Sequence, residues 1–229
     1  MAKTLTATDR KALIRLASTM PVGSPERKVI LAGLKTASGE SNIPGKHILD
    51  NAKVYDDAIV KDKAKMFDNA EVSGNARVEG NAIVKDKAHV SSNAIVKGNA
   101  EVSEYAKVYG NAVVRGNAWV WGRAKVSGNA VVRGKAVVSG NAKVYGNAQV
   151  SGDAVVEGKA HVYARAYVFG NAEVSGNAKV SGKAIVKGNA TVSGKAKIGG
   201  DAVILGGGWG GSEGPIMEGT WKSPTERIR

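Results

Sequence analysis

One six-residue phrase, most often Ala-x-Val-x-Gly-Asn, repeats without a gap through about two thirds of this sequence. Alanine occupies each of the 26 positions that lie six residues apart from Ala52 to Ala202. The residue two places after each alanine is valine, with Met66, Ile198 and Ile204 as the exceptions. Because the register never slips, the chain between these limits must be a periodic array of one local structure.

Within each hexad, alanine and valine alternate with variable residues, which is the pattern of a short β-strand with one buried face. The last two positions are most often Gly-Asn, as in Gly74-Asn75 and Gly110-Asn111, and both residue types tolerate a positive φ at a turn. A short strand and a corner at fixed spacing describe a chain that winds round a polygon. Since one hexad cannot bury its alanine and valine alone, neighbouring coils must stack over a shared interior.

This phrase resembles the hexapeptide-repeat, left-handed parallel β-helix superfamily, in which an aliphatic residue follows two places after a small one. Ala70 with Val72 and Ala124 with Val126 fit that pattern. The resemblance implies three hexads per triangular coil, about nine coils and, at the spacing of paired strands, a prism about 40 Å long. It also implies the left-handed winding, since parallel crossovers are otherwise almost always right-handed. We therefore expect an all-β solenoid, a left-handed parallel β-helix with a small N-terminal α-helical hairpin.

Residues 1–37 depart from the repeat and predict that hairpin. Two stretches with apolar residues at helical spacing are separated by Pro21-Val22-Gly23, and Ser24-Pro25-Glu26 has the order of a helix N-terminus. Two interpretations stay open, because the hairpin could cap its own β-helix or dock the chain on a larger protein assembly. The apolar face available for either role comprises Leu13, Leu16, Met20, Ile30, Leu31 and Leu34.

The remaining segments complete the predicted organisation. Residues 38–46 contain Ser, Gly and Pro and predict a linker, and residues 47–205 form the hexapeptide-repeat β-helix. Residues 206–229 are a glycine-rich tail with Trp209 and Trp221, which we expect to fold over the last coil. The ending of the array in a Gly-Gly-x-Trp stretch resembles repeat proteins encoded in phages and prophages. That resemblance implies a virion component, such as a capsid decoration or a tail-associated protein.

The composition of the sequence limits the chemistry and the cellular location that we expect for this protein. The sequence has no cysteine, so it can form neither a disulfide framework nor a thiolate metal site. It has no apolar run of signal-peptide length and none that could span a bilayer. We therefore expect a soluble protein that is made in the cytoplasm without a signal peptide, has no membrane partner and, if of phage origin, is part of the virion.

Residues 18 apart fall on the same side of a three-hexad coil, so the outward residues can be sorted into three faces. On the second face, seven of the nine residues between alanine and valine are apolar or aromatic. Strand propensity alone could account for them, but we favour a homo-oligomer, a trimer as in related β-helices, because a monomer rarely leaves such a strip in water. The expected interface comprises Ile59, Ile95, Val113, Val131, Tyr167, Ile185 and Val203.

The other faces offer two further candidate surfaces. The first face carries mainly lysine with interspersed tyrosine, which could bind nucleic acid or an acidic glycan, although a solvated basic face is the simpler interpretation at net charge +13. On the third face, Trp119 and Trp121 both point outward, as a partner or sugar-binding spot or as an oligomer contact. The corner residues Asn75, Asn93, Asn111, Asn129 and Asn147 lie 18 apart and predict a hydrogen-bonded asparagine ladder.

Catalysis finds little support in the sequence. The superfamily contains acyltransferases and zinc carbonic anhydrases, but no insertion between Ala52 and Ile204 could cover a substrate. Of the histidines His47, His89 and His161, the last two share a face about four coils apart, too far for one zinc ion. We expect no catalytic residue, no metal and no cofactor. The favoured hypothesis is a non-catalytic structural protein, and the alternatives are a bactofilin-like filament-forming scaffold and a hexapeptide acyltransferase.

Overall fold

The structure, a computed structural model, describes Leu16 and residues 48–212 and 214–228. The chain divides into two compact units, Met1–Pro44 and Gly45–Arg229, and the second contains the whole repeat array. Leu16 is helical and exposed. The remaining residues of the predicted hairpin and linker lie outside the described residues, as does His47. The predicted docking residues among them are Leu13, Met20, Ile30, Leu31 and Leu34.

Each hexad of the array forms one strand of two residues, the outward residue and the valine or its substitute that follows. In chain order the strands are β1 (Lys53–Val54), β2 (Ile59–Val60), β3 (Lys65–Met66), β4 (Glu71–Val72), β5 (Arg77–Val78), β6 (Ile83–Val84), β7 (His89–Val90), β8 (Ile95–Val96), β9 (Glu101–Val102), β10 (Lys107–Val108), β11 (Val113–Val114), β12 (Trp119–Val120), β13 (Lys125–Val126), β14 (Val131–Val132), β15 (Val137–Val138), β16 (Lys143–Val144), β17 (Gln149–Val150), β18 (Val155–Val156), β19 (His161–Val162), β20 (Tyr167–Val168), β21 (Glu173–Val174), β22 (Lys179–Val180), β23 (Ile185–Val186), β24 (Thr191–Val192), β25 (Lys197–Ile198) and β26 (Val203–Ile204).

From β1 to β23, each strand pairs in parallel with the strand three places later, so the pairing register is 18 residues, as between Val113 and Val131. Three sheets result, and they begin with β1, β2 and β3 respectively. We call the outer surfaces of these sheets the first, second and third face, and a set of outward residues 18 apart a column. The structure thus confirms the predicted parallel β-solenoid of about nine coils, with three hexads in each coil.

The interior is filled by the inward alanines and aliphatic residues alone. From Ala64 to Ile204 each of these side chains is almost completely buried. The first coil is more open, since Ala52, Val54 and Ala58 are only partly buried. Because backbone N–H groups donate from coil to coil, as that of Val113 does to the carbonyl of Ala130 at 2.9 Å, stacking satisfies the polar backbone around this apolar core.

Two residue types, glycine and aspartate, provide the positive φ at most corners. Most have a glycine with positive φ, such as Gly116 at 76°, where an added Cβ would come within 3.0 Å of the backbone of Gly134. Several early corners have aspartate in the same conformation, and its carboxylate accepts a hydrogen bond from the backbone of the next coil. Asp56 accepts from the N–H of Gly74 at 2.9 Å and Asp62 from that of Gly80 at 3.0 Å. The bond to the next coil offsets the unfavourable backbone conformation.

The predicted asparagine ladder is confirmed. The side-chain amides of Asn75, Asn93, Asn111 and Asn129 each donate to the next asparagine along the corner, at 2.9 to 3.2 Å, and the ladder ends at Asn147. A second ladder runs through Asn81, Asn99 and Asn117 at another corner. These amides connect coils at the surface as the backbone does in the sheets.

The C-terminal tail folds over the last coil, as expected. It adds β27 (Gly208–Trp209), β28 (Thr220–Ser223) and β29 (Glu226–Ile228). β27 continues the third sheet, β28 pairs in parallel with β26, and β29 pairs antiparallel with β28. The buried indole of Trp209 packs edge-to-face on Trp221, with ring centroids 6.0 Å apart. The tail thereby covers apolar surface that the last coil would otherwise expose.

Candidate binding sites on the outer faces

The second face carries the predicted apolar strip. Ile95, Val113 and Val131 follow one another in parallel register on three successive coils, and all are half-buried by their neighbours. Ile185 and Val203 form a second, shorter stretch. The remaining predicted interface residues are Ile59, which is exposed, and Tyr167, which is half-buried.

Charged groups divide this strip. Near its start, the carboxylate of Glu79 forms ion pairs with the guanidinium of Arg77 at 2.6 Å and with the Lys61 ammonium at 3.5 Å. Between the two apolar stretches, the guanidinium of Arg133 donates to the Tyr167 hydroxyl at 2.6 Å. The longest uninterrupted apolar stretch therefore runs from Ile95 to Val131.

The third face has a depression of about 460 Å³ around the two exposed tryptophans. Trp119 is 53% exposed and Trp121 is 40% exposed. In the column of Trp121, the preceding and following residues are Ser103 and Ser139, which are 7% and 2% exposed. Among the described residues, these two serines are the polar side chains that are buried. A bulky indole between two small serines explains their burial.

Acidic and basic side chains complete this depression. The ammonium of Lys85 lies 2.9 Å from the carboxylate of Glu101, and this hydrogen bond raises the pKa of Lys85. Tyr105, at the adjoining corner, is flanked by the cations of Lys87 and Arg123 at 5.4 and 5.7 Å from its ring centroid. Trp119 and Trp121 thus both point outward, as predicted, within a mixed aromatic and charged surface.

The first face is basic over most of its length. Lys107, Lys125 and Lys143 lie in parallel register on successive coils, and the same column continues through His161 and Lys179. Directly opposed like charges destabilise neighbouring strands, so this column is a natural place for an anion.

A tyrosine column runs beside these lysines. Tyr145 and Tyr163 stack with ring centroids 5.1 Å apart and planes at 4°, and the His161 ring meets Tyr145 edge-on at 6.1 Å. Ser127 interrupts the column between Tyr109 and Tyr145, and a depression of about 270 Å³ lies at this position. We call Tyr109, Ser127 and Tyr145 the tyrosine slot.

One group in the slot, Tyr145, and one beside it, His161, have displaced pKa values. Partial burial, together with the neighbouring ammonium groups of Lys143 and Lys179, lowers the pKa of His161. Partial burial and the nearby Tyr163 raise the pKa of Tyr145. His161 is therefore mainly uncharged at neutral pH, and the fixed positive charge around the slot comes from lysine.

The described residues contain no group of three His, Asp or Glu side chains that could hold a metal ion. His89 lies 3.3 Å from the carboxylate of Glu71 and four coils from His161 along the first sheet. Within the same residues, no helix is long and apolar enough to cross a membrane.

Comparison with known proteins agrees with the fold. A family model described as the YdcK β-solenoid repeat matches residues 70–86 and 148–164. Each matched stretch begins at an inward alanine, Ala70 or Ala148, and covers nearly one coil. No curated protein matches the chain. The similarity confirms a β-solenoid repeat protein.

Sequence reasoning missed the part that Ser127 plays in the tyrosine slot. The tyrosines and lysines of the first face were recognised, but the serine between two tyrosines was not. Sorting the residue after each valine by steps of 18 places Tyr109, Ser127, Tyr145 and Tyr163 in one column and so contains the signal. Tyr105 between its two cations was missed as well, because its partners come from the coils before and after it.

Proposed function

We propose that this chain is a non-catalytic structural protein that forms a homo-oligomer, a trimer, through its second face. The observation that carries the proposal is the uninterrupted stretch of Ile95, Val113 and Val131 on a regular sheet surface. Burying these side chains against another copy would remove apolar area from water at a gain of about 25 cal/mol per Å². A rigid, flat sheet face needs little rearrangement to do so.

A second copy of the chain suits both edges of this face. One edge has the basic residues Lys97, Arg115 and Arg133, and the other is the corner with the asparagine ladder. In a cyclic trimer the contact is heterologous, so one edge of a subunit meets the opposite edge of the next. The carbonyl oxygens of the ladder would then accept hydrogen bonds from the lysine and arginine side chains, as a polar rim.

The test replaces Ile95 and Val131 together by lysine and measures native mass by light scattering. We expect the oligomer to dissociate to single chains while circular dichroism retains the β-solenoid signal, because both side chains point away from the core. The matched control replaces Val137 and Val155, two half-buried valines on the third face, by lysine. An unchanged mass in the second-face variant would rule out this interface.

The proposal extends to attachment. We infer that residues 1–37 dock the oligomer on a larger protein assembly through Leu13, Leu16, Met20, Ile30, Leu31 and Leu34. The resemblance of the tail to phage and prophage repeat proteins favours a virion, in which the chain would be a capsid decoration or a tail-associated protein. Trp119 and Trp121 are a second partner spot in this proposal, because large exposed aromatics dominate the energetics of many interfaces.

Two features favour this proposal over its alternatives. The charged strand β29, with Glu226 and Arg227, forms one edge of the C-terminal end, which opposes the end-to-end stacking of a bactofilin-like filament. An acyltransferase of this superfamily covers its substrate with a loop that leaves the coils. Here a strand recurs every six residues from Lys53 to Ile204, so no such loop interrupts the array.

A further inference from the structure

The tyrosine slot has the dimensions of one missing ring. Successive coils are about 4.8 Å apart, so Tyr109 and Tyr145, which are separated by two coils, lie about 10 Å apart along the column. Tyr145 and Tyr163, on adjacent coils, already stack at 5.1 Å. A ring placed over Ser127 would therefore meet a tyrosine on each side at the ordinary distance of aromatic stacking.

One wall of the slot is held in place before any ligand arrives. Tyr145 is half-buried, stacks on Tyr163 on the side away from the slot and meets the edge of His161. These contacts restrict its rotation, so stacking a further ring on it costs little side-chain entropy. Ser127 forms the floor and contributes a hydroxyl group that can donate or accept a hydrogen bond.

The charge around the slot specifies an anion. Lys125 and Lys143 line the depression directly, and Lys107 precedes them in the same column. Within the described residues, these three lysines take part in no ion pair. A ligand with negative charge beside a planar ring would relieve the repulsion along the lysine column and fill the tyrosine column at once.

We propose that the tyrosine slot binds a nucleotide, with the base stacked between Tyr109 and Tyr145 and the phosphate on Lys125 and Lys143. This inference goes beyond the proposed structural function and does not depend on the oligomer. The shared chemistry, a planar base and a phosphate, is present in a free nucleotide and in single-stranded nucleic acid. A duplex does not fit, because its bases stack on one another and leave no free ring face.

The same column provides an internal comparison. Ser73 and Ser91 leave a wider gap between Tyr55 and Tyr109, but the residue beside Ser73 is Glu71, whose carboxylate pairs with His89. An acid at this position disfavours a phosphate. The gap at Ser127 thus combines the width of one ring with a lysine on each adjoining coil, whereas the wider gap lies beside the pair of Glu71 and His89.

The experiment titrates the full chain into a labelled short single-stranded oligothymidylate and follows fluorescence anisotropy. Thymidine monophosphate is titrated separately, and the amide signal of Ser127 is followed by NMR. The decisive variant is Ser127→Tyr, which fills the slot with a side chain that the column already carries at four positions. Ser175→Tyr is the matched control, since it makes the same change at a half-buried outward serine of the third face, away from the tyrosine column. Circular dichroism checks that both variants stay folded.

We expect Ser127→Tyr to weaken binding about tenfold or more, as the loss of a base–aromatic stack implies, and Ser175→Tyr to leave it unchanged. Lys125→Gln with Lys143→Gln should weaken binding and reduce the slope of log affinity against log salt by about one. If the monophosphate binds as tightly as the oligonucleotide, the ligand is a free nucleotide, and if it binds more weakly, the ligand is single-stranded nucleic acid.

Three results would overturn the inference. If neither the oligonucleotide nor the monophosphate binds to the unmodified chain, there is no nucleotide site. Equal loss of affinity in Ser127→Tyr and Ser175→Tyr would show that filling the slot has no specific effect on binding. Undiminished binding in Ser127→Tyr, with competition by a sulfated glycan at equal charge, would show that the face attracts any polyanion without reading a ring.

Discussion

The interior and the outer surface of this solenoid are built from the same hexads but carry different information. Inside, alanine and an aliphatic residue recur in every hexad, and nearly all of them are fully buried. Outside, the residues beside them change from coil to coil and form an apolar strip, a basic column with tyrosines and a tryptophan depression. The repeat therefore determines the fold, and the departures from it on the outer faces determine what the protein can bind.

The difference between interior and surface is tested most strongly by making the same substitution at a buried and at an outward residue of one strand. In β18, Val156 is fully buried and Val155 points outward. We expect Val156→Asp to cost about 4 kcal/mol or more, because it buries an unpaired carboxylate in an apolar core. Val155→Asp should change the free energy of unfolding by no more than about 1 kcal/mol. Urea denaturation of both variants measures the difference, and equal losses would contradict the assignment of inside and outside.

The corners belong neither to the interior nor to the outer faces, so their contribution to stability can be tested separately. Gly116→Ala should cost about 1–2 kcal/mol, because alanine disfavours the positive φ and its Cβ meets the backbone of Gly134. Gly116→Asp should cost less, although its side chain is larger, because its carboxylate can accept the N–H of Gly134 as Asp62 accepts that of Gly80. Thermal unfolding would rank the two variants, and a less stable aspartate variant would refute the compensation.

The asparagine ladder tests how far the surface contributes to stability. Asn111→Ala removes two side-chain hydrogen bonds, one to Asn93 and one to Asn129, and should cost about 1 kcal/mol. The control is Asn177→Ala, at a corner where the column neighbours are lysines and no ladder bond forms in the described part of the chain. That change should stay within about 0.5 kcal/mol. If both variants lose the same stability, the ladder bonds contribute nothing.

The smallest expected effect concerns His161. Its pKa is lowered in the folded chain, first by burial and then by Lys143 and Lys179, so the unfolded chain binds a proton more readily. The free energy of unfolding should therefore be highest above the unfolded value of about 6.5 and fall as pH drops through that range. An NMR titration of the His161 ring should give a pKa below 6.5 without ligand and a higher pKa when a phosphate neutralises the lysines. A pKa above 6.5 in the free chain would contradict the expected environment.

Much of the fold could be predicted from the sequence because the repeat has one register. The three sheets, the asparagine ladder and the covering of the last coil by Trp209 and Trp221 were all predicted. The pairing of β28 and β29 was not, because the glycine-rich tail has no clear strand period. The aspartate corners were missed as well, since a carboxylate bond to the next coil depends on a backbone conformation that residue type alone does not specify.

The candidate sites were only partly predictable, for a physical reason. An outward position is known from the period, but its exposure depends on the size of the residues 18 before and after it. Trp121 stands out because Ser103 and Ser139 flank it, and the tyrosine slot exists because Ser127 is small. On the second face, Gln149 separates Val131 from Tyr167 in the sequence period. The structure adds the hydrogen bond between Arg133 and Tyr167, which the period alone does not show.

The oligomeric state can be measured on the unmodified chain, as its native mass by light scattering over a concentration series. A buried second face predicts a discrete species of three chains of 23.6 kDa each, with no growth as concentration rises. A monomer at all concentrations would contradict the buried second face, and open-ended growth would support a filament instead.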